Sequence, residues 1–239
     1  MNLKLKIKKK IEKKIKKFFQ ILPEYNQELR FKYYKSLGIS FSKVLDIGAY
    51  IGSWKDMFQK IFPSAEIIMI EANLEKEATL KKKGKYFIAL LGEEDNKVID
   101  YYRCSNEEIS SGNGVFRENT SFKFFSEKRS TTKLTTLLKE KESYDLIKID
   151  TQGSELPILK GAIPILDNTK FLLLELSIAE YNFNAPSYFE VIEFLKKHNF
   201  KLIDMFDMHY RNGSLIQFDG FFINTKFRDL VDLIGSKHI

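Results

Sequence analysis

Three groups of residues in this chain have the types and spacing to do chemistry. The first is the turn Asp46-Ile47-Gly48-Ala49-Tyr50-Ile51-Gly52, directly after the apolar run VLDI and directly before a helical stretch. Glycines there let backbone amides approach a ligand closely, and a helix N-terminus favours a negative group. A dehydrogenase asks for G-x-G-x-x-G. Here the pattern is G-x-x-x-G with an acid two residues ahead of the first glycine, which suits a cofactor with an ammonium-bearing amino-acid end that Asp46 can meet. The second is Glu71, which closes the run EIIMI 19 residues past Gly52. An acid at that place can accept hydrogen bonds from both hydroxyls of a ribose; otherwise it is a solvated carboxylate at a helix start. The third is DLIKIDTQGSELPILKGA, 145–162, where Asp150, Gln152 and Glu155 gather just past an apolar run. Open α/β sheets bind ligands at such strand ends.

The elements that must position these groups are legible in the hydropathy pattern. Apolar runs occur at 44–47, 66–70, 86–91, 97–102, 145–149, 171–176, 200–206 and 216–223, and helical stretches at 53–62, 73–83, 133–141, 154–166 and 187–198. Continuous apolar strands alternating with helices predict an α/β fold whose mostly parallel sheet is covered on both faces. The last two runs leave no room for a helix between them and read as an antiparallel pair at the sheet edge. Residues 104–132, with SSGNG at 110–114, read as an inserted loop or hairpin that either walls the substrate site or lies plainly on the surface.

At 239 residues the chain fits one such domain with a short appendage: an extension over 1–40, the body over 41–226 and a tail over 227–239. Composition is 44% hydrophobic, which excludes disorder for the whole chain. The single cysteine, Cys104, allows no internal disulfide and fits a reducing cytoplasm. No apolar run approaches the roughly 20 residues of a membrane span, and lysines interrupt any signal-peptide core. The net charge of +7 is local. Residues 1–20 carry +8, so the remaining 219 carry −1, which argues against a nucleic-acid partner. Leu3, Ile7, Ile11, Ile15, Phe18 and Leu22 form one stripe of a basic amphipathic helix. Such a helix, over residues 3–22, fits peripheral contact with an anionic membrane face. It fits equally a helix packed on the body or on the second subunit of a homodimer.

The resemblance becomes specific in five pieces taken together: VLDIGAYIGSW (44–54), IEAN (70–73), LIKIDTQGSELPILKGA (146–162), FLLLELS (171–177), and D-x-H (207–209) with QFDGFFI (217–223). In these the chain resembles the FkbM-type methyltransferases over about 180 residues. KIDTQGSE with the following LKGA is the most specific piece. Tyr50 departs from the family, which often has a small polar residue there. The resemblance implies a Rossmann-like class I methyltransferase fold with a seven-stranded sheet, and methyl transfer from S-adenosylmethionine to a hydroxyl. The cofactor set is then Asp46, Gly48, Ala49, Tyr50, Gly52, Ser53, Trp54, Glu71, Ala72, Leu91 and Asp150, with Gln152 and Glu155 toward the substrate.

Methyl transfer to oxygen is an in-line displacement that depends on alignment and on a general base, worth roughly 10²–10⁴-fold. Asp150, Glu175 and His209 are the candidate catalytic groups. Asp150 ends its strand beside the methyl site, although it could instead cap the following helix. Glu175 sits in the otherwise apolar FLLLEL, where a carboxylate is costly unless partnered or used. His209 is placed in a loop between strands. Asp150, Glu175 and Asp207 could offer oxygens to Mg²⁺, but nothing in their spacing demands a metal. Composition rich in Lys, Ile, Phe and Asn fits an AT-rich bacterial genome, and hence a glycan-precursor or other small-molecule acceptor. The competing readings are a nucleotide-cofactor oxidoreductase and a non-catalytic membrane-surface protein on a methyltransferase scaffold.

Overall fold

The computed structural model describes residues 26–105, 112–138 and 142–235. The amphipathic stretch 3–22 lies outside these residues. Seven strands form one sheet: β1 (Lys43–Ile47), β2 (Glu66–Glu71), β3 (Tyr86–Ile88), β6 (Tyr144–Ile149), β7 (Thr169–Ser177), β8 (Phe200–Arg211) and β9 (Ser214–Asn224), in the order β3-β2-β1-β6-β7-β9-β8. All pairings are parallel except those of β9, which runs antiparallel between β7 and β8. Crossing from β2–β3 on one side of β1 to β6–β7 on the other makes the switch point at which α/β sheets bind ligands.

The apolar runs of β1, β2, β6 and β7 have no solvent face because helices cover both sides. On one side Leu45, Ile47, Ile147 and Leu172 pack with α4 (Leu134–Leu137), α5 (Glu155–Lys160), α6 (Ile163–Leu166) and α7 (Tyr188–Lys197). On the other side Val44, Leu146, Phe171 and Phe221 pack with α1 (Gln27–Ser36), α2 (Ser53–Ile61) and α8 (Arg228–Gly235). The remaining helix, α3 (Glu77–Lys81), follows β2 after a turn of 3₁₀ helix. Local signals set the ends: Asn26 caps α1, Ser187 and Glu190 form a capping box on α7, and Asn212-Gly213, both with positive φ, turn the β8–β9 hairpin.

Three expectations change. The run at 97–102 is not in the main sheet. It is the start of β4 (Val98–Cys104), which pairs antiparallel with β5 (Phe124–Ser130) in a separate hairpin whose second strand lies in the expected insert. Its cross-strand partners are largely polar, as with Lys128 opposite Asp100, and such a strand cannot be buried on both faces. Residues 27–36 belong to the body rather than to an extension, because Phe31 and Tyr34 are fully buried there. Residues 228–235 form a helix with Ile234 in the core, not a tail. Among the described residues no helix is long and apolar enough to cross a membrane.

Phe31 anchors α1 by edge-on contacts with Phe41, Trp54, Phe58, Phe62, Phe206 and Phe221. Removing such a ring leaves a cavity among aromatic neighbours. Phe31→Ala is therefore expected to cost about 3–5 kcal/mol in denaturant unfolding. Phe125→Ala, at a site 67% exposed, should stay within about 0.5 kcal/mol.

Candidate active site

The C-terminal ends of β1, β2 and β6 open on one cavity of ≈ 280 Å³. At one end Glu71 and Ala72 close β2. At the other, Asp150, Gln152 and Glu175 meet above β6 and β7. Gly48, Tyr50 and Leu91 also line it. The fold thus brings eight of the sequence-identified residues to one space.

Gly48, just past β1, packs against the backbone of Asp150, just past β6. Its φ is +80°, and a Cβ there would lie 1.8 Å from the carbonyl oxygen of Asp150. Only glycine fits both the backbone and the gap. The amides of the glycine turn are spent within the protein rather than offered to a ligand. Gly48 and Ala49 N–H both donate to the Ile70 carbonyl, and Gly52 N–H donates to Ala49. Tyr50 N–H donates to Glu71 Oε2 and Asn73 N–H to Oε1, each at 2.7 Å. These bonds fix the plane of the carboxylate and leave a lone pair on each oxygen for a ribose hydroxyl. Burial raises the Glu71 pKa against the pull of those amides. The residues therefore fit the nucleoside half of the implied cofactor.

Asp46 does not reach the cavity. It is fully buried under the turn, with Lys148 Nζ 3.7 Å from Oδ1 and no hydrogen bond to either oxygen. Burial pushes it up to about 6, despite Lys148. The register that pairs Asp46 with Lys148 points both to the same side of the sheet. Its charge is thus answered by a lysine of the protein rather than by a ligand's ammonium. Lys148 also donates to Asp150 Oδ2 at 2.9 Å. Burial would depress the Lys148 ammonium, but Asp150 and Asp46 outweigh it and hold the ammonium charged. Asp150 is bound by this ion pair and does not cap α5.

Glu175 lies across the β7–β9 ladder from Asp219 and accepts Gln152 Nε2 at 3.1 Å. Burial, then Asp150 and Glu155, raise it well above the carboxylate range. Asp219 is pushed up to about 8 by burial and Asp150. Gln27 of α1 donates to Asp219 and accepts from Trp54 Nε1.

The other predicted residues lie elsewhere. Ala49 packs on Met69 and Leu80, Ser53 starts α2, and Trp54 stacks on Phe58 and turns to α1. Glu155 does not line the cavity. Its Oε1 gathers Thr151 N–H, Thr151 Oγ1 and Gly153 N–H, tying the loop that carries Gln152. His209 is not in a loop but in β8, exposed and paired with Gln217, off the cavity. Sequence reasoning passed over Lys148 and Asp219, and also Tyr101, Asn113, Gly114 and Val115, which line the cavity from the insert. Lys148 inside DLIKI carried the same signal that flagged Glu175: a charge in an apolar run. Among the described residues no group of three or more His, Cys, Asp or Glu is arranged to hold a metal.

The strand order is that of the class I methyltransferase fold, and the cavity lies at its switch point. The profile of the FkbM methyltransferase domain matches residues 46–202, and the chain belongs to that family. No sequence among curated proteins matches the chain. Similar solved structures include the methyltransferase FkbM of Methylobacillus flagellatus, at 15% identity and TM-score 0.49, covering 80% of this chain. This chain spans 47% of that protein. A S-adenosylmethionine-dependent methyltransferase of Clostridium acetobutylicum is 10% identical, covering 91% and 98% of the two chains at TM-score 0.47. The magnesium protoporphyrin IX methyltransferase of Synechocystis with bound S-adenosylmethionine is 9% identical, covering 83% and 82% at TM-score 0.46.

Asp46, Glu155 and Asp219 hold protons in the fold up to about 6, 7 and 8, above their ordinary 3.8, 4.5 and 3.8. The stability linked to those protons is whole below about pH 4 and is lost as pH rises through the folded values. The ligand-free protein is therefore expected to melt at lower temperature at pH 8 than at pH 5, and Asp219→Asn to flatten the decline. A melting temperature that rises over this range would contradict the assignment.

Proposed function

We propose that this enzyme transfers a methyl group to a hydroxyl oxygen of a sugar or similar acceptor, in bacterial surface-glycan or related synthesis on the cytoplasmic side. The observation that carries the reading is that one cavity has a ribose-competent carboxylate at one end and a proton-accepting acid cluster at the other. The buried free thiol of Cys104 fits a reducing compartment.

S-adenosylmethionine supplies an electrophilic methyl on a sulfonium cation when bound. The chain's residues do the rest. Glu71 holds the ribose hydroxyls with both oxygens. Asp150, Glu175 and Asp219, answered by the single ammonium of Lys148, make that end of the cavity electronegative and suited to a cationic donor. Asp150, pinned by Lys148, orients the incoming hydroxyl. Glu175 has its proton affinity raised by burial and neighbouring acids, as a base acting near neutral pH requires. Gln152 Nε2 fixes its orientation. Nucleophile alignment inside this cavity supplies much of the rate.

Calorimetric titration of S-adenosylmethionine tests the reading. Wild type should bind at micromolar concentration, and Glu71→Ala should lose at least about tenfold, as expected when a charged hydrogen-bond partner is removed. Folded wild type that fails to bind would sink the proposal. With nucleotide sugars as acceptors, Glu175→Gln should cut turnover by about 10²–10⁴-fold while cofactor affinity stays close to wild type.

A further inference from the structure

Residues 1–20 carry +8 while the rest of the chain carries −1, and the function proposed above uses none of this charge. The sequence of residues 3–22, which lie outside the described ones, sets Leu3, Ile7, Ile11, Ile15, Phe18 and Leu22 on one side of a helix and Lys6, Lys9, Lys13 and Lys16 on the opposite side. Packing on the body or on a second copy needs the stripe and not the charge. A nucleic acid needs the charge and not the stripe. An anionic lipid surface uses both: the stripe enters the boundary of the acyl chains while the lysines meet the headgroups.

The described residues fix where this stretch joins the body. The first residue of α1, Gln27, donates to Asp219 and accepts from Trp54 in the first turn of α2. Asp219 in turn lies across the β7–β9 ladder from Glu175 of the cavity. At the other end of α1, Lys35 donates to the carbonyl of Ile61, where α2 ends, and the chain passes on into the start of β1. α1 therefore runs away from the strand ends that carry the site, and the residues before Asn26 leave from that edge. Four peptide steps separate Leu22 from Asn26, a reach of at most about 14 Å. We propose that residues 3–22 seat the protein on an anionic membrane surface, with the acid end of the cavity turned toward the bilayer. The seat brings the site to acceptors that the membrane carries.

The test is flotation of the full chain with vesicles of phosphatidylglycerol and phosphatidylcholine, and of phosphatidylcholine alone. Wild type should float with the anionic vesicles only, and leave them as salt rises and screens the charges. The combined variant Lys6→Gln, Lys9→Gln, Lys13→Gln and Lys16→Gln keeps the stripe. It should bind about 10²–10³-fold more weakly, at about fivefold per lysine near an anionic surface. The combined variant Ile7→Ser, Ile11→Ser and Ile15→Ser keeps every charge, and should lose flotation while melting as wild type. Orientation is read with a bimane label and brominated lipid as quencher. Cys104 is buried, so the label is placed through Asn184→Cys, past β7 at the site edge, or Ser64→Cys, before β2 at the opposite edge; both positions are exposed. Quenching should be stronger at 184. Quenching that is equal, or stronger at 64, overturns the orientation. Wild type that ignores anionic vesicles overturns the seat, whether it pairs with a second copy in ultracentrifugation or binds a DNA duplex instead. A serine variant that floats as wild type but melts lower does so too, because the stripe then packs on the body. The seat stands apart from the methyl-transfer reading: wild type that floats but fails to bind S-adenosylmethionine sinks that reading alone.

Discussion

Lys148 carries one ammonium, its side chain 7% exposed, between the carboxylates of Asp46 and Asp150. Around it the fold also assembles Glu175 and Asp219, so four acids share one cation. Burying any of these groups alone would cost several kcal/mol, and a buried charge is tolerated only when it is paired. The parallel register of β1 and β6 sets Asp46 beside Lys148, and the close approach of Gly48 to the Asp150 backbone holds the two strand ends together. Take the ammonium away and the acids must protonate or part. The shape of the strand ends, and with it the cavity floor, depends on this one ion.

The surplus of acid over base is itself useful. The site holds carboxylates whose affinity for protons has been lifted toward neutrality, while Glu71, at the other end of the same cavity, is held by two amides in a fixed plane. Proton handling and ligand recognition are thereby separated along one space. The loop that joins them, 150–155, is kept rigid by Glu155, which spends its carboxylate on the loop's own amides.

Much of this was legible because apolar strands announce where they end. Glu71, Asp150 and Gln152 follow such runs directly, and Glu175 interrupts one; all four line the cavity. What failed were statements about which way a side chain points. Asp46 and Ala49 lie in the turn that carries Gly48 and Tyr50, yet neither reaches the cavity, and Trp54 leaves along α2 toward α1. His209 looked like a loop residue because the β8–β9 turn comes later, at Asn212-Gly213. The run KVIDYY is as apolar and aromatic as a sheet strand, and nothing local shows that its partner is the polar stretch 124–130. Tyr101 was hidden for that reason: its place on the cavity wall depends on a pairing between distant segments, not on its neighbours in sequence.

The hydrogen bond from Gln27 to Asp219 joins residues 192 positions apart, and α1 packs by Phe31 on Phe206 and Phe221 of the last two strands. During synthesis at about 5–20 residues per second, α1 would wait on the order of 10–40 s for the strands it covers. Until then the faces of Phe31, Tyr34 and Phe58 have no permanent cover, and contacts of such long range close slowly. Of the described helices, the one made first is among the elements placed last. A nascent chain of this protein is thus in need of a holding chaperone at α1, and its acid cluster cannot assemble before translation has passed the final hairpin.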